Sequence, residues 1–216
     1  MEFYGMPKNR LEAFSDGIIA FAITLLILEI HIPELGSGVD NGTMLKAIVA
    51  LLPNFAVYVI SFLVCTVWWV SHHTFIHDLH SVDHVLLWAN NLFLMFIAFI
   101  PFPTGLLGHH PGNPIATAFY GVVCMLAGFA FWLMRWYATQ RGGLMKPEID
   151  KTLLRHRVRI SFLSPVLYLA GAAVSLLYPI FALYIYTAIP AYFALRTLGY
   201  VSSKQTVGNP SDQPET

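Results

Sequence analysis

The chain has 216 residues, of which 56% are hydrophobic and only 11% are Asp, Glu, Lys or Arg. A water-soluble domain carries about 25% charged residues, so this composition excludes an ordinary solvated surface, and a mean hydropathy of +0.62 agrees. The formal net charge is zero, which gives no electrostatic reason to expect nucleic acid as a partner.

Six apolar segments follow one another: Leu11 to Ile32, Leu45 to Val70, His84 to Leu107, Pro114 to Tyr137, Ile160 to Tyr178 and Ile180 to Leu198. Each approaches the ~20 residues that cross a bilayer as a helix. The expected fold is therefore all-α and integral to the membrane, with six transmembrane helices. The expected organisation is a six-helix domain over residues 1–199 and a disordered polar tail over 200–216, where Ser, Pro and Gln accumulate. The first segment carries Arg10, Glu12 and Asp16 at its start, and no small-residue cleavage site follows it. It is expected to stay in place as a helix rather than leave as a signal peptide. Cys65 and Cys124 sit inside apolar runs and behave as small hydrophobes. Pro53, Pro101, Pro103, Pro165 and Pro190 fall within segments and predict kinks, which packed neighbours tolerate in a membrane. No internal repeat is visible, which weakens an inverted-repeat transporter reading.

The basic residues cluster on one side. Lys8 and Arg10 precede the first segment; Arg135, Arg141, Lys146, Lys151, Arg155, Arg157 and Arg159 lie around the fourth-to-fifth connection; Arg196 and Lys204 follow the sixth. The other side holds only Lys46. Positive charge accumulates in cytoplasmic loops, so the expectation is a multi-pass cell-membrane protein with both termini cytoplasmic. Trp132, Trp136 and Tyr137 fit an aromatic belt at that face.

Most of the functional signal lies in the first segment. An ionisable residue a turn into a spanning helix is costly and marks a functional candidate. Ser15 and Asp16 are equally suited to a helix start, where free N–H groups and the positive dipole end favour them. Both readings of Asp16 stay open. The second segment returns to the same depth and ends in Trp68, Trp69, His72 and His73. These positions predict an interhelical polar cluster of Asp16, Arg10 and one of the histidines. Further along, Phe14, Phe21 and Leu28 form one sevenfold line, and Gly17, Thr24 and His31 form the next. Together they make a seam suited to packing around an axis. Ordinary helix packing, with Thr24 bonded back to its own helix, would give the same spacing.

Arg10, then Phe14-Ser15-Asp16, then Gly17 to Ile30 resemble the first-helix signature of the transmembrane protein 175 potassium channels. Asn90 to Thr104 and Trp68-Trp-Val-Ser-His72-His73 are similar to the bacterial members. The resemblance implies a homotetramer whose first helices surround a pore for K+ and other monovalent cations. It implies no cofactor and no enzyme activity. The pore has no backbone-carbonyl filter, and this sequence has no TVGYG-like segment. Carried over by position, the constriction and filter fall on Phe21, Thr24, Leu25 and Leu28. Phe21 stands where the family usually has isoleucine or leucine, so Ile23 is the alternative narrowest residue. Glu29 would lie at the outer mouth. Arg10, Ser15, Asp16, Trp69 and His73 would form a structural polar cluster.

His72, His73, His77, His80 and His84 flank the second connection with Asp78 and Asp83. His73 and His77, and His80 and His84, have the spacing for metal ligation on one helix face. No His-Glu-x-x-His pattern or nearby cysteine pair supports a metal site, so a solvated or interfacial run, open to pH sensing, is expected. A proton-coupled secondary transporter, motivated by Asp16 and the histidines, is the competing function.

Overall fold

Backbone polar groups that cannot reach water must bond within their own segment, and an α-helix does this. The computed structural model describes residues 7–207, with side chains described through residue 195. Over that range the chain is helical apart from its connections and an isolated bridge between Leu79 and Met145. The helices are α1 (Lys8–Leu25), prolonged by a 3-10 turn at Leu26–Glu29, α2 (Asn41–Ala50), α3 (Leu52–Asp78), α4 (His84–Phe99), α5 (Pro101–His109), α6 (Pro114–Gln140), α7 (Lys151–Ser175) and α8 (Pro179–Val207). Five stretches are long and apolar enough to cross a membrane: Lys8–Glu29, Leu52–Asp78, His84–His109, Pro114–Gln140 and Lys151–Ser175. The shorter apolar stretch Pro179–Leu195 completes the set. The protein is thus an all-α, multi-pass membrane protein.

Several boundaries differ from the sequence reading. The second apolar segment is two helices, because Asp40 starts α2 by accepting from the Gly42 and Thr43 amides at 2.8 and 3.1 Å, and Pro53 sits in the first turn of α3. The Thr43 hydroxyl and then the Thr43 and Gly42 amides hold the Asp40 carboxyl below its usual range. α3 then runs to Asp78, past Val70. α7 begins at Lys151 rather than Ile160, capped by Asp150, which accepts from the Thr152 amide at 3.1 Å. Arg155, Arg157 and Arg159 are therefore helical. Charge ended the apolar run there without ending the helix. The third segment is broken at Ile100, and Pro101 opens α5. Pro165 and Pro190 lie inside α7 and α8. α8 continues to Val207, past the Gly199 boundary. Residues 208–216 and the side chains of Arg196 and Lys204 lie outside the described residues.

One end of the bundle is tied together by polar contacts. The His80 amide donates to Leu144 O at 2.8 Å, and the Lys146 amide donates to Asp78 O at 3.0 Å. Lys8 Nζ donates to the His77 and Leu79 carbonyls, each at 3.1 Å. Arg157 pairs with Asp78. The start of α1, the α3–α4 connection and the α6–α7 connection therefore share a side.

The core of the later helices is built on buried tyrosines. Tyr120 accepts from Ser61 at 3.1 Å, and the Thr104 hydroxyl lies 2.8 Å from Ser61. Tyr186 donates to Thr117 O at 3.2 Å. A Cβ on Gly121 would collide with the Tyr186 hydroxyl, so α8 approaches α6 only because that position is glycine. Gly121→Ala should therefore lower the melting temperature of the detergent-purified protein, at a cost of about 1–3 kcal/mol from overpacking. An unchanged melt would show that Tyr186 moves aside freely.

Candidate pore helix and its polar anchor

α1 is apolar nearly all round, so hydropathy alone does not choose the face it buries. Leu11, Ser15, Ile19, Ala22 and Leu26, spaced by three or four, are buried, with Leu11, Ile19 and Leu26 at 0% exposure. The other face carries Phe14, Gly17, Phe21, Thr24 and Leu28, all exposed, with Phe21 at 64% and Leu28 at 68%. Leu25 is half-buried. Ile23 is half-buried and packs against the subunit's own core. The Thr24 hydroxyl donates to Phe21 O at 2.8 Å, which leaves its oxygen lone pairs on the exposed side.

A buried hydrogen-bond chain fixes this rotation. Ser15 Oγ donates to Leu11 O at 2.8 Å and accepts from Asn90 Nδ2 at 3.1 Å. Asn90 Oδ1 accepts from His72 Nε2 at 2.7 Å, so that nitrogen carries the proton. Ser15, Asn90 and His72 are all at most 1% exposed. The His72 ring stacks on Phe93 with centroids 5.5 Å apart. The chain thus joins α1 to α4 and α3. Beside it, Trp69 Nε1 donates to Asp16 Oδ1 at 3.0 Å. His73 Nδ1 lies 3.4 Å from Glu12 Oε1.

Ser15, Asp16, Trp69 and His73 are brought together at the foot of α1. Arg10 is not: it is exposed and its side chain makes no hydrogen bond or ion pair among the described residues. Its expected place is taken by Glu12, one turn before Asp16, and by Asn90. Sequence reasoning missed both, although the asparagine pair Asn90-Asn91 inside the Trp88–Phe99 apolar run was a visible signal. Of the histidine run, His72 is a buried member of the anchor. Glu12, Asp16 and His73 place one ligand atom each within 4.8 Å of one another, the only such trio among the described residues. Neither histidine pair with ligand spacing gathers a third ligand among the described residues. Asp83 instead caps α4 by accepting from the Leu86 amide at 2.8 Å, and accepts from the Tyr137 hydroxyl at 2.6 Å.

At its far end, the Glu29 carboxylate rests on α5 where a Cβ at Gly105 would collide with it. His109 Nδ1 lies 2.7 Å from Gly105 O, and His31 meets the His109 ring edge-on at 4.8 Å. Glu29 is half-buried there.

A membrane-spanning first helix, anchored by polar groups on one face and bare on the other, places the molecule among multi-pass helical membrane proteins built around that helix. The family model for the endosomal/lysosomal potassium channel TMEM175 matches residues 10–101, which hold the anchor and the exposed stripe. A Streptomyces collinus protein named as a potassium channel is 38% identical over 159 residues, covering 72% of this chain and 75% of that protein. A Chryseobacterium protein of the same description is 30% identical, covering 93% and 96%. The crystal structure of a lysosomal potassium-selective channel TMEM175 homolog from Chamaesiphon minutus superposes with a TM-score of 0.78 at 30% identity, covering 88% of this chain and 97% of that one. The chain belongs to the TMEM175 family, a family of ion channels rather than enzymes.

Asn90→Ala leaves His72 Nε2–H unpaired and takes from Ser15 its donor, both in an apolar interior, and should cost about 1–3 kcal/mol, read as a lower melting temperature. Trp69→Phe removes a single donor at a partly exposed site and should cost less, about 0.5–1.5 kcal/mol. The reverse order would place the anchor at Asp16 instead.

Proposed function

We propose that this chain is a potassium-selective cation channel in which four copies place their first helices around a shared axis, and that K+ passes through an apolar constriction without a carbonyl filter. The observation that carries this reading is the bare stripe Phe14, Gly17, Phe21, Thr24 and Leu28 on a helix whose other face is locked into its own subunit. The names of the Streptomyces and Chryseobacterium relatives and of the Chamaesiphon homologue support the ion.

Phe21 and Leu28 form the apolar rings, with Leu25 beside them. An ion there cannot keep its full hydration shell, and a narrow apolar ring gates by excluding water. Thr24 supplies relief. Its hydroxyl hydrogen is engaged with Phe21 O, so its lone pairs face the ion. Potassium gives up water more readily than sodium, and partial replacement of the shell favours it. Phe21 is preferred over Ile23 as the narrowest residue because Ile23 packs inward. Glu29, partly exposed at the far end, draws cations to the mouth. The polar anchor is structural: it holds α1 to α3 and α4. No cofactor takes part. Lys8 and the basic residues of the α6–α7 region share one end, which supports a cytoplasmic location for both termini.

Planar-bilayer recording of purified protein tests this. Ohmic currents whose reversal follows the K+ gradient are expected; saturating, electroneutral, proton-coupled flux would establish the transporter reading in its place. Thr24→Ala should reduce the K+/Na+ permeability ratio about fivefold, the equivalent of about 1 kcal/mol for one lost ligand set, while Ile23→Ala should leave it unchanged. Asp16→Ala should reduce the yield of assembled oligomer more than it alters the permeability ratio, compared by size-exclusion chromatography and by reversal potential.

A further inference from the structure

A cavity of about 440 Å³ opens within one subunit between α3, α6, α7 and α8. This is the size of small-molecule sites, which run from roughly 300 to 1,000 Å³. Its wall is apolar over most of its length, with Val64 and Trp68 from α3, Phe131 from α6 and Ile189 from α8. The end nearest the α6–α7 connection is different. There Arg135 of α6 and His156 and Arg157 of α7 line it.

The two arginines are not equivalent. Arg157 is paired with Asp78. Arg135 has its guanidinium over the Phe75 and Phe131 rings, 5.6 and 5.1 Å from their centroids, and makes no ion pair among the described residues. A cation held among aromatic and aliphatic side chains at membrane depth calls for a counter-charge. Two rings, and the more distant Asp78 carboxylate that is already paired with Arg157, supply only part of it.

The length of the cavity indicates what brings that charge. Val64 and Thr74 line its two ends on α3. Ten residues of helix span ~15 Å, about half of the ~30 Å hydrocarbon core. A slot one leaflet deep, apolar toward the bilayer centre and cationic toward the surface, has the polarity of a lipid. Val67 and Val70 at its edge are partly exposed, so the slot is open to an entering chain.

We propose that this cavity binds one anionic membrane phospholipid, its phosphate against Arg135 and one acyl chain along the apolar wall. The site is separate from the α1 stripe and independent of the pore reading. It ties the α6–α7 hairpin to α3 through a component of the membrane itself.

The test is native mass spectrometry of the full chain in detergent, with phosphatidylglycerol, phosphatidylcholine or inorganic phosphate added. One phosphatidylglycerol per chain should be retained, about tenfold more strongly than phosphatidylcholine, and excess inorganic phosphate should not displace it. Arg135→Gln should weaken phosphatidylglycerol retention about tenfold, as loss of a charge-assisted contact predicts. Val67→Trp, which fills the slot from its edge and leaves every charge in place, should abolish retention of one lipid per chain. Should Arg135→Gln fail to fold, Val67→Trp alone decides. Equal retention of the two lipids overturns the proposal, as does unchanged retention in Val67→Trp. Displacement by inorganic phosphate also overturns it, because the site would then hold a free anion.

Discussion

The Ser15–Asn90–His72 hydrogen-bond chain is the constraint on which the rest of the molecule depends. α1 offers Ile18, Ile19, Ile23, Leu25 and Leu26 in close succession, and burial of such side chains is non-directional. Any of several rotations would satisfy it. A serine, an asparagine and a histidine with no access to water admit far fewer. Each unpaired group costs about 1–3 kcal/mol, so the rotation that pairs all three is selected. The exposed stripe is what that choice leaves over. On the proposed reading, the pore face needs no strong packing within the subunit; the opposite face has to be fixed.

The same logic orders the end of the bundle where α1 begins. Lys8 reaches the carbonyls that close α3, the strand-like pairing of Leu79 with Met145 joins the two connections, and Asp78 takes up Arg157. α3 and α7 extend beyond their apolar stretches to make these contacts. The polar extensions brace the bundle from outside the apolar slab, and where they converge the helices stand apart far enough to leave the cavity beside Arg135.

The fold was legible because bilayer thickness imposes a length on every apolar run. Helix ends were less legible, since hydropathy marks where lipid stops and not where hydrogen bonding stops. Asp150 and the basic first turns of α7 belong to a helix that hydropathy could not see. The stripe on α1 was legible from its sevenfold spacing. The anchor was only half legible: Ser15, Asp16, Trp69 and His73 follow from depth, but depth does not say which neighbour a side chain meets. The Arg10 side chain lies at the expected level and finds no partner among the described residues, whereas those of Glu12 and Asn90 do. Glu29 likewise rests on Gly105, a contact set by the break between α4 and α5. The cavity was not legible, because it arises from the spacing of four helices distant in sequence.

The anchor and the bare stripe share one uninterrupted run of backbone, and this has a hereditary consequence. An extra residue added between Ser15 and Phe21 would leave Ser15 docked yet swing every later side chain by about 100°. Ala22 and Leu26 would lose their places in the interior while aromatic bulk turned inward. Substitutions along this helix can accumulate one at a time, but gaps cannot. The length from Ser15 to Leu28 should drift far less between lineages than its spelling.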